Sequence, residues 1–309
     1  MLLKDLNTDI GIVSFMAYPG MVQDDNIYIE KVKSIASDEF FSFIEICHIA
    51  SDQARQKVRN ILEIANIRVG FDAHTVLLPE NLSINAPQKD LRENAIKTFK
   101  SLIDEAYFFN AEGFTLLSGF KPGKEGISEE LKIAADSVKE LCGYAIEKSA
   151  QLKVKPLDIV IETFDDKEYA KNRLIGPTSV AVDFAKEVRK DCSNFGLLLD
   201  LSHLPILEED FVKSLQLAKD YIKHIHLGNC ILKDKTHPAF GDNHPRFGAG
   251  GGENDIDTIA AFIKALINIG YFKKPGSTLI FEVKPLSGED PDLTLAGSKR
   301  AFLRALNLL

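Results

Sequence analysis

The sequence predicts a single (β/α)8 barrel, or TIM barrel, that occupies residues 1–309 as one domain. The first observation is that short apolar runs of the strand type alternate with longer amphipathic segments along the whole chain. The second is their number, because eight such runs occur and each is followed by a helical segment. The third is that no Pro-rich, Ser-rich or low-complexity linker divides the chain.

The predicted strands are short runs rich in Ile, Val, Leu and Phe, which is typical of parallel strands buried on both faces. They are Ile10–Phe15, Phe41–Ile46, Ile67–Phe71, Gly113–Leu117, Asp158–Thr163, Phe195–Asp200, Lys223–Leu227 and Thr278–Val283. A doubly wound open sheet is the competing architecture. That fold usually has a glycine-rich turn after its first strand, and residues 11–20 contain no such fingerprint.

Several helix boundaries can be predicted from capping residues. Ser51 precedes one helix, Ser128 is followed by two Glu, and Pro177 opens another helix. The last helix is predicted at Pro291–Leu306. The longest segment with neither a helix nor a strand signal is the glycine-rich stretch 229–254, and long irregular loops in barrels tend to be functional.

Composition excludes several classes of protein. No apolar stretch approaches the roughly 20 residues that a membrane-spanning helix needs. Residues 1–6 are too short an apolar run, and too soon interrupted by charged residues, for a signal peptide. The four cysteines are scattered along the chain. We therefore expect a cytoplasmic protein with reduced thiols. The net charge of -8 makes a nucleic-acid partner unfavourable, since such proteins usually present a basic surface.

Four of the predicted strands end on a side chain that can bind metal. We call Glu162, Asp200, His226 and Glu282 the strand-end quartet. Side chains alternate between the faces of a strand, and aligned parallel strands bring their ends to one rim of a barrel. A buried carboxylate must be paired, protonated or bound to a cation. The quartet therefore predicts a site for Mn, Mg, Co or Zn, with strand-end caps and salt bridges as the alternative.

Four further side chains lie in predicted loops. His203 follows Asp200 by three residues and could ligate the metal, hold a substrate oxygen or be a simple loop histidine. Asp242 and His244 could complete a second metal site or bind substrate, or they could belong to an Asx-type turn. Arg246 offers a planar fork for a carboxylate or phosphate, although a surface arginine is the default interpretation.

The strand-end quartet, together with the Asp-x-x-His motif at Asp200 and His203, resembles the xylose-isomerase-like barrel superfamily. That group includes ketose 3-epimerases, inosose dehydratases and, more distantly, endonuclease IV. The resemblance implies that the quartet ligates one divalent ion and that Glu162 and Glu282 also act as opposed acid and base. It further implies that His203 contacts a substrate oxygen, and it places Arg246 in a loop that often carries a substrate-binding arginine.

We therefore expect a divalent-metal-dependent isomerase or epimerase of a small sugar, keto-sugar or polyol. Removing a proton beside a carbonyl creates an enediolate, whose charge a divalent ion stabilises while two carboxylates exchange the proton. An inosose-type dehydratase on the same scaffold is the alternative. A homo-oligomer is expected only because similar barrels often form one.

Two other classes are less favoured. An endonuclease IV-like AP endonuclease would use Asp242 and His244 as second-metal ligands, with His74 near an additional ligand position. The segment 116–119, however, lacks the histidine that this branch carries after the fourth strand. A non-catalytic protein with a structural metal is the other class, but structural sites are usually closed by protein ligands.

Overall fold

The computed structural model describes residues 6–167 and 170–309, and its centre is a closed barrel of parallel strands. The strands pair in chain order, and the last one closes onto the first. They are β1 (Asp9–Val13), β2 (Phe43–Cys47), β3 (Arg68–Asp72), β4 (Gly113–Leu116), β5 (Asp158–Thr163), β6 (Phe195–Asp200), β7 (Ile222–Gly228) and β8 (Thr278–Glu282). The predicted (β/α)8 barrel is confirmed.

Helices connect the strands and cover the outside of the barrel. Those in the described part of the chain are α1 (Ser14–Ala17), α2 (Asp25–Ala36), α3 (Asp52–Ala65), α4 (His74–Leu77), α5 (Lys89–Phe108), α6 (Ile127–Leu152), α7 (Thr178–Val188), α8 (His203–Ile206), α9 (Phe211–Ala218), α10 (Ile256–Asn268) and α11 (Pro291–Leu306). Short 3₁₀ turns occur at Pro19–Gln23, Lys124–Gly126 and Tyr271–Lys273.

Most predicted boundaries agree with the structure, and the differences have local causes. The strands β5 and β6 and the helix α11 have the predicted bounds. Ser51 caps α3 as predicted, since its hydroxyl accepts a hydrogen bond from Ala54 N. Ser128 is not a cap, because α6 already begins at Ile127. β1 ends early because the chain turns into a helix at Ser14, whose hydroxyl donates to the Glu45 carbonyl at 2.7 Å.

The strand register brings the polar strand ends to one mouth of the barrel. Asp200 of β6 lies opposite His226 of β7, and Gly228 of β7 lies opposite Glu282 of β8. The loop between β7 and α10 contains only isolated bridges, as the sequence predicts for residues 229–254. This mouth therefore combines the strand ends with the longest irregular loop.

The described residues contain no helix long and apolar enough to cross a membrane. The four cysteines are free and buried, in agreement with reduced thiols. Residues 1–5, on which part of the signal-peptide argument rests, lie outside the described residues. The single domain, the cytoplasmic location and a homo-oligomeric state stay predictions.

Phe281 of β8 lies at the centre of a cluster of aromatic rings. It is fully buried, and its ring meets four others edge-on at 5.2 to 6.0 Å: Phe40, Phe41, Phe247 and Phe302. We expect Phe281→Ala to lower the free energy of unfolding by about 3–5 kcal/mol, because it removes buried surface and leaves a cavity. Urea denaturation measures this loss.

The matched control is Leu293→Ala on α11, because Leu293 is 71 % exposed. That variant should change the free energy of unfolding by less than about 0.5 kcal/mol. An equally small effect of Phe281→Ala would contradict the central packing role of this ring.

Candidate active site and metal-binding centre

The strand-end quartet lies at the carboxyl ends of four consecutive strands. Glu162 comes from β5, Asp200 from β6, His226 from β7 and Glu282 from β8. All four side chains are buried, with exposed fractions of 0, 1, 1 and 6 % in that order. Such burial excludes freely hydrated charges, so the contacts among these groups decide their chemistry.

Three members of the quartet form one compact group. Ligand atoms of Glu162, His226 and Glu282 all lie within 4.8 Å of one another. The ring nitrogen Nδ1 of His226 is 2.9 Å from Glu282 Oε2 and 4.0 Å from Glu162 Oε1. These residues are separated by as many as 120 positions in the chain, and the barrel brings them together.

Asp200 belongs to an adjoining group with His203 and His244, which is equally compact. Its carboxylate accepts a hydrogen bond from Gly228 N at 2.8 Å, which fixes its direction. His244 joins the two groups, since its Nδ1 lies 3.6 Å from Asp200 Oδ2 and 3.8 Å from Glu282 Oε2. The quartet is therefore distributed over two groups in contact.

The side chains of His203, Asp242 and His244 are buried beside the quartet. His203 Nε2 lies 3.3 Å from Glu162 Oε1, and its Nδ1 lies 3.6 Å from Asp242 Oδ1. Asp242 is also 2.8 Å from His244 Nε2. The ring of Phe164 lies against that of His203, with centroids 4.3 Å apart. One face of the site is therefore aromatic.

Arg246 lies farther out than the other predicted site residues. Its side chain is 39 % exposed, and its Nε donates to Glu289 Oε1 at 3.0 Å. The backbone oxygen of Arg246 accepts a hydrogen bond from Asn229, which anchors the loop to the end of β7. The guanidinium therefore lies at the partly exposed edge of the site.

The two glutamates of the quartet have opposite protonation tendencies. Burial and the negative charge of Glu282 raise the pKa of Glu162 to about 7. Burial would also raise the pKa of Glu282, but the charges of His244 and His226 outweigh it and lower this pKa to about 2. Near neutral pH, one member of the pair can thus hold a proton while the other is a carboxylate.

His203 and His244 carry the positive charge that compensates the buried carboxylates. Burial alone would lower the pKa of His203, but Asp242, Glu162 and Asp200 together raise it to about 9. For His244, burial is likewise outweighed by Glu282, Asp242 and Asp200, and the pKa rises to about 10. Protonated rings therefore balance the buried carboxylates, a role that a bound cation can also fill.

The side chains fit a divalent cation. Both carboxylate oxygens of Glu162 are buried without a well-oriented hydrogen bond. Unsatisfied buried acceptors are costly, and a cation satisfies them. Carboxylates combined with imidazole suit Mn, Mg, Co and Zn.

Two residues at this mouth, Glu45 and Asp72, were not predicted as site residues, and a third, His74, was named only for the endonuclease alternative. Glu45 of β2 contacts His226, and Asp72 at the end of β3 accepts a hydrogen bond from His74 N at 2.6 Å. His74 Nδ1 lies 3.6 Å from Glu162 Oε2, and burial lowers the pKa of His74 to about 3. Its ring is therefore neutral. A signal existed for Glu45, because it is the single charged residue in an otherwise apolar strand.

Comparison with known proteins agrees with this architecture. Residues 34–306 match the family described as xylose isomerase-like TIM barrel. The chain belongs to this family. The predicted resemblance is thereby confirmed, whereas the roles of the individual site residues stay predictions.

The relatives include several sugar epimerases. D-psicose 3-epimerase of Ruminiclostridium cellulolyticum is 26 % identical over 230 residues, which cover 68 % of each chain. The crystal structure of D-psicose 3-epimerase with D-tagatose from Clostridium cellulolyticum H10 aligns with a TM-score of 0.68 and 20 % identity, covering 97 % of this chain and 98 % of that one. The IolI protein with a bound zinc atom aligns with a TM-score of 0.70 and 13 % identity, covering 97 % and 99 %.

Proposed function

We propose that this protein is a divalent-metal-dependent epimerase or isomerase of a small sugar, keto-sugar or polyol. The observation that carries the proposal is the pair Glu162 and Glu282, which lie in one compact group with His226 and prefer opposite protonation states. Sugar epimerases among the relatives support the substrate class. A divalent ion held by the quartet would supply Lewis-acid stabilisation of the enediolate charge.

The two glutamates would move the proton. In one direction, the Glu282 carboxylate removes the proton from the carbon beside the carbonyl, and the electron pair of that C–H bond enters the enediolate. Protonated Glu162 then returns a proton to the opposite face of the same carbon, so its configuration inverts. In the reverse direction the two side chains exchange roles, as general acid–base catalysis requires.

His203 and Phe164 would orient the substrate. The pKa of His203 is raised, so its ring can donate to a developing oxyanion, and neither ring nitrogen has a well-oriented partner within the protein. Phe164 covers this ring and presents an apolar surface to a sugar face. Asp242 and His244 would hold His203 in place, and Arg246 would contact the part of the substrate nearest the solvent.

The test is a proton-exchange screen in deuterated water. Metal-stripped protein is reconstituted separately with Mn²⁺, Co²⁺, Mg²⁺ and Zn²⁺ and incubated with ketohexoses, ketopentoses and inososes. We expect NMR to detect metal-dependent deuterium incorporation at one carbon, together with an epimer or isomer of the substrate. Loss of water would instead identify a dehydratase, and nicking of abasic duplex DNA would identify an endonuclease. Metal binding without any turnover would indicate a structural site.

A substitution at Gly228 tests whether the direction of the Asp200 carboxylate matters, because it leaves every candidate ligand side chain unchanged. A Cβ added to Gly228 would lie 2.7 Å from both Asp200 Oδ2 and His244 Nδ1. We expect Gly228→Ala to displace the carboxylate and to weaken divalent-metal binding by about 10-fold or more. Competition with a metal-chelating dye measures the affinity.

The matched control is Gly250→Ala, because no atom lies within 4 Å of a Cβ at that position. Its metal affinity should equal that of the unmodified protein. If Gly228→Ala also kept full affinity, the direction of the Asp200 carboxylate would be irrelevant to metal binding.

A further inference from the structure

A chain of polar contacts runs through the barrel interior behind the strand-end quartet. His226 Nε2 lies 3.0 Å from Glu45 Oε2, and Glu45 Oε1 lies 2.6 Å from His224 Nε2. His224 Nδ1 in turn lies 2.7 Å from the hydroxyl of Thr278. At the other end, His226 Nδ1 contacts Glu282. This chain joins the candidate metal site to the strands β2, β7 and β8.

The barrel makes specific room for the Glu45 side chain. Glu45 is 1 % exposed, although its strand neighbours are apolar. The residue opposite it on β3 is Gly70. A Cβ at Gly70 would lie 3.1 Å from Glu45 Cγ and 2.9 Å from the ring of Phe43. A glycine at this register position therefore lets the carboxylate occupy the barrel interior.

A carboxylate at this position determines which nitrogen of His226 can bind a metal. Glu45 Oε2 lies 3.0 Å from His226 Nε2, and both residues are buried. Carboxylate oxygens accept hydrogen bonds, so this contact places the proton of the neutral His226 ring on Nε2. Nδ1 of the same ring faces Glu162 and Glu282, and a neutral ring with its proton on Nε2 offers the Nδ1 lone pair to a cation.

The group Glu45, His224 and His226 is also compact enough to be considered as a metal site of its own. The 3.0 Å contact between His226 Nε2 and Glu45 Oε2 is a hydrogen bond, whereas His224 Nε2 lies 2.6 Å from Glu45 Oε1 without a well-oriented hydrogen bond. A second ion at this place would have to displace the hydrogen bond between Glu45 and His226.

We propose that Glu45 is a positioning residue that holds His226 in the tautomer and ring orientation required for metal binding through Nδ1. This role rests on the metal site proposed above. His224 and Thr278 extend the support, because the Thr278 hydroxyl contacts His224 Nδ1, and His224 Nε2 lies 2.6 Å from the second oxygen of Glu45. Partners of this kind, behind a ligating histidine, commonly change metal affinity by about 10–100-fold when they are removed.

The test compares metal affinity and histidine tautomer in the variants Glu45→Gln and Thr278→Val. Gln keeps the shape of Glu but has one accepting oxygen instead of two and no negative charge. We expect Glu45→Gln to bind Mn²⁺ about 10–100-fold more weakly. Thr278→Val acts one contact farther away and should weaken binding by about 3-fold. Dye competition gives both affinities, and the number of bound ions is measured in parallel.

The spectroscopic readout is ¹⁵N NMR of histidine-labelled, Zn²⁺-loaded protein. The unmodified protein should show His226 protonated at Nε2 alone, whereas Glu45→Gln should show a mixed or altered tautomer. The matched control is Glu105→Gln, because Glu105 is a buried carboxylate on α5 that accepts from Ile49 N at 2.9 Å. This control should lose stability while it keeps the Mn²⁺ affinity and the His226 tautomer.

The outcomes separate this proposal from the proposed function. Unchanged metal affinity and an unchanged His226 tautomer in Glu45→Gln would overturn the role of Glu45. The role would also be overturned if the unmodified protein bound two ions and Glu45→Gln bound one, because Glu45 would then be a ligand of the second ion. If Glu45→Gln does not fold, an unchanged affinity and tautomer in Thr278→Val would overturn it. Metal binding without proton exchange would overturn only the function, and absence of metal binding in the unmodified protein would overturn both.

Discussion

Replacing Glu282 by Gln should leave the barrel folded and abolish exchange of the substrate proton with deuterated water. Gln has the same shape as Glu but cannot accept a proton from carbon. The loss of a positioned acid or base usually costs about 10²–10⁴-fold in rate. The measurement is deuterium incorporation by NMR at saturating metal, so that weaker metal binding does not produce the effect.

Glu209→Gln is a suitable control for this prediction. Glu209 accepts hydrogen bonds from Thr178 N and from the Ser214 hydroxyl, at 3.0 and 2.8 Å, and belongs to none of the candidate ligand groups among the described residues. Its proton-exchange rate should stay within about 3-fold of the unmodified rate, as expected for a change outside the reacting groups. Normal exchange in Glu282→Gln would remove Glu282 from the proposed acid–base pair, and Glu162 would then need another partner.

The barrel could be predicted from the sequence because its signals are local. Each strand is a short apolar run, and β5 and β6 have the predicted bounds. The end of β1 could not be placed, because Phe15 extends the apolar pattern past Ser14 while the chain already turns into α1. That turn depends on the hydrogen bond from Ser14 to β2, which is a contact between distant segments.

Part of the candidate site could be predicted because its signals are local as well. Polar residues at strand ends are visible in the sequence, and three members of the quartet come together as the barrel topology requires. Asp72 directly follows the predicted strand Ile67–Phe71, so the same strand-end signal was present there and was not used. Glu45 escaped prediction because the sequence does not reveal whether a polar side chain within a strand faces the barrel interior or the helices. That orientation follows from the register between neighbouring strands, such as the pairing of Glu45 with Gly70.

His203 shows how tertiary contacts decide between interpretations that the sequence leaves open. The spacing from Asp200 was compatible with a metal ligand, a substrate contact or a simple loop residue. In the structure His203 begins the short helix α8 and is fully buried against Phe164. His203 is therefore not an exposed loop residue. Its contact with the metal or with the substrate stays a prediction.

Replacing Asp200 by Ala should weaken divalent-metal binding by about 10–100-fold or more, as expected for a ligand or for a group that orients one. The variant should also lose about 1–3 kcal/mol of stability, because it leaves Gly228 N and the Ser202 hydroxyl without their acceptor. Isothermal titration with Mn²⁺ and urea denaturation of the metal-free protein measure the two effects separately.

Asp200→Asn separates metal binding from stability at this position. Asn retains an oxygen that can accept from Gly228 N, so most of the stability should return, whereas the loss of negative charge should keep metal binding weak. Unchanged metal content in Asp200→Ala would mean that Asp200 is only structural. The compact group of Glu162, His226 and Glu282 would then have to bind the ion without it, and the second group, with His203 and His244, would serve the substrate alone.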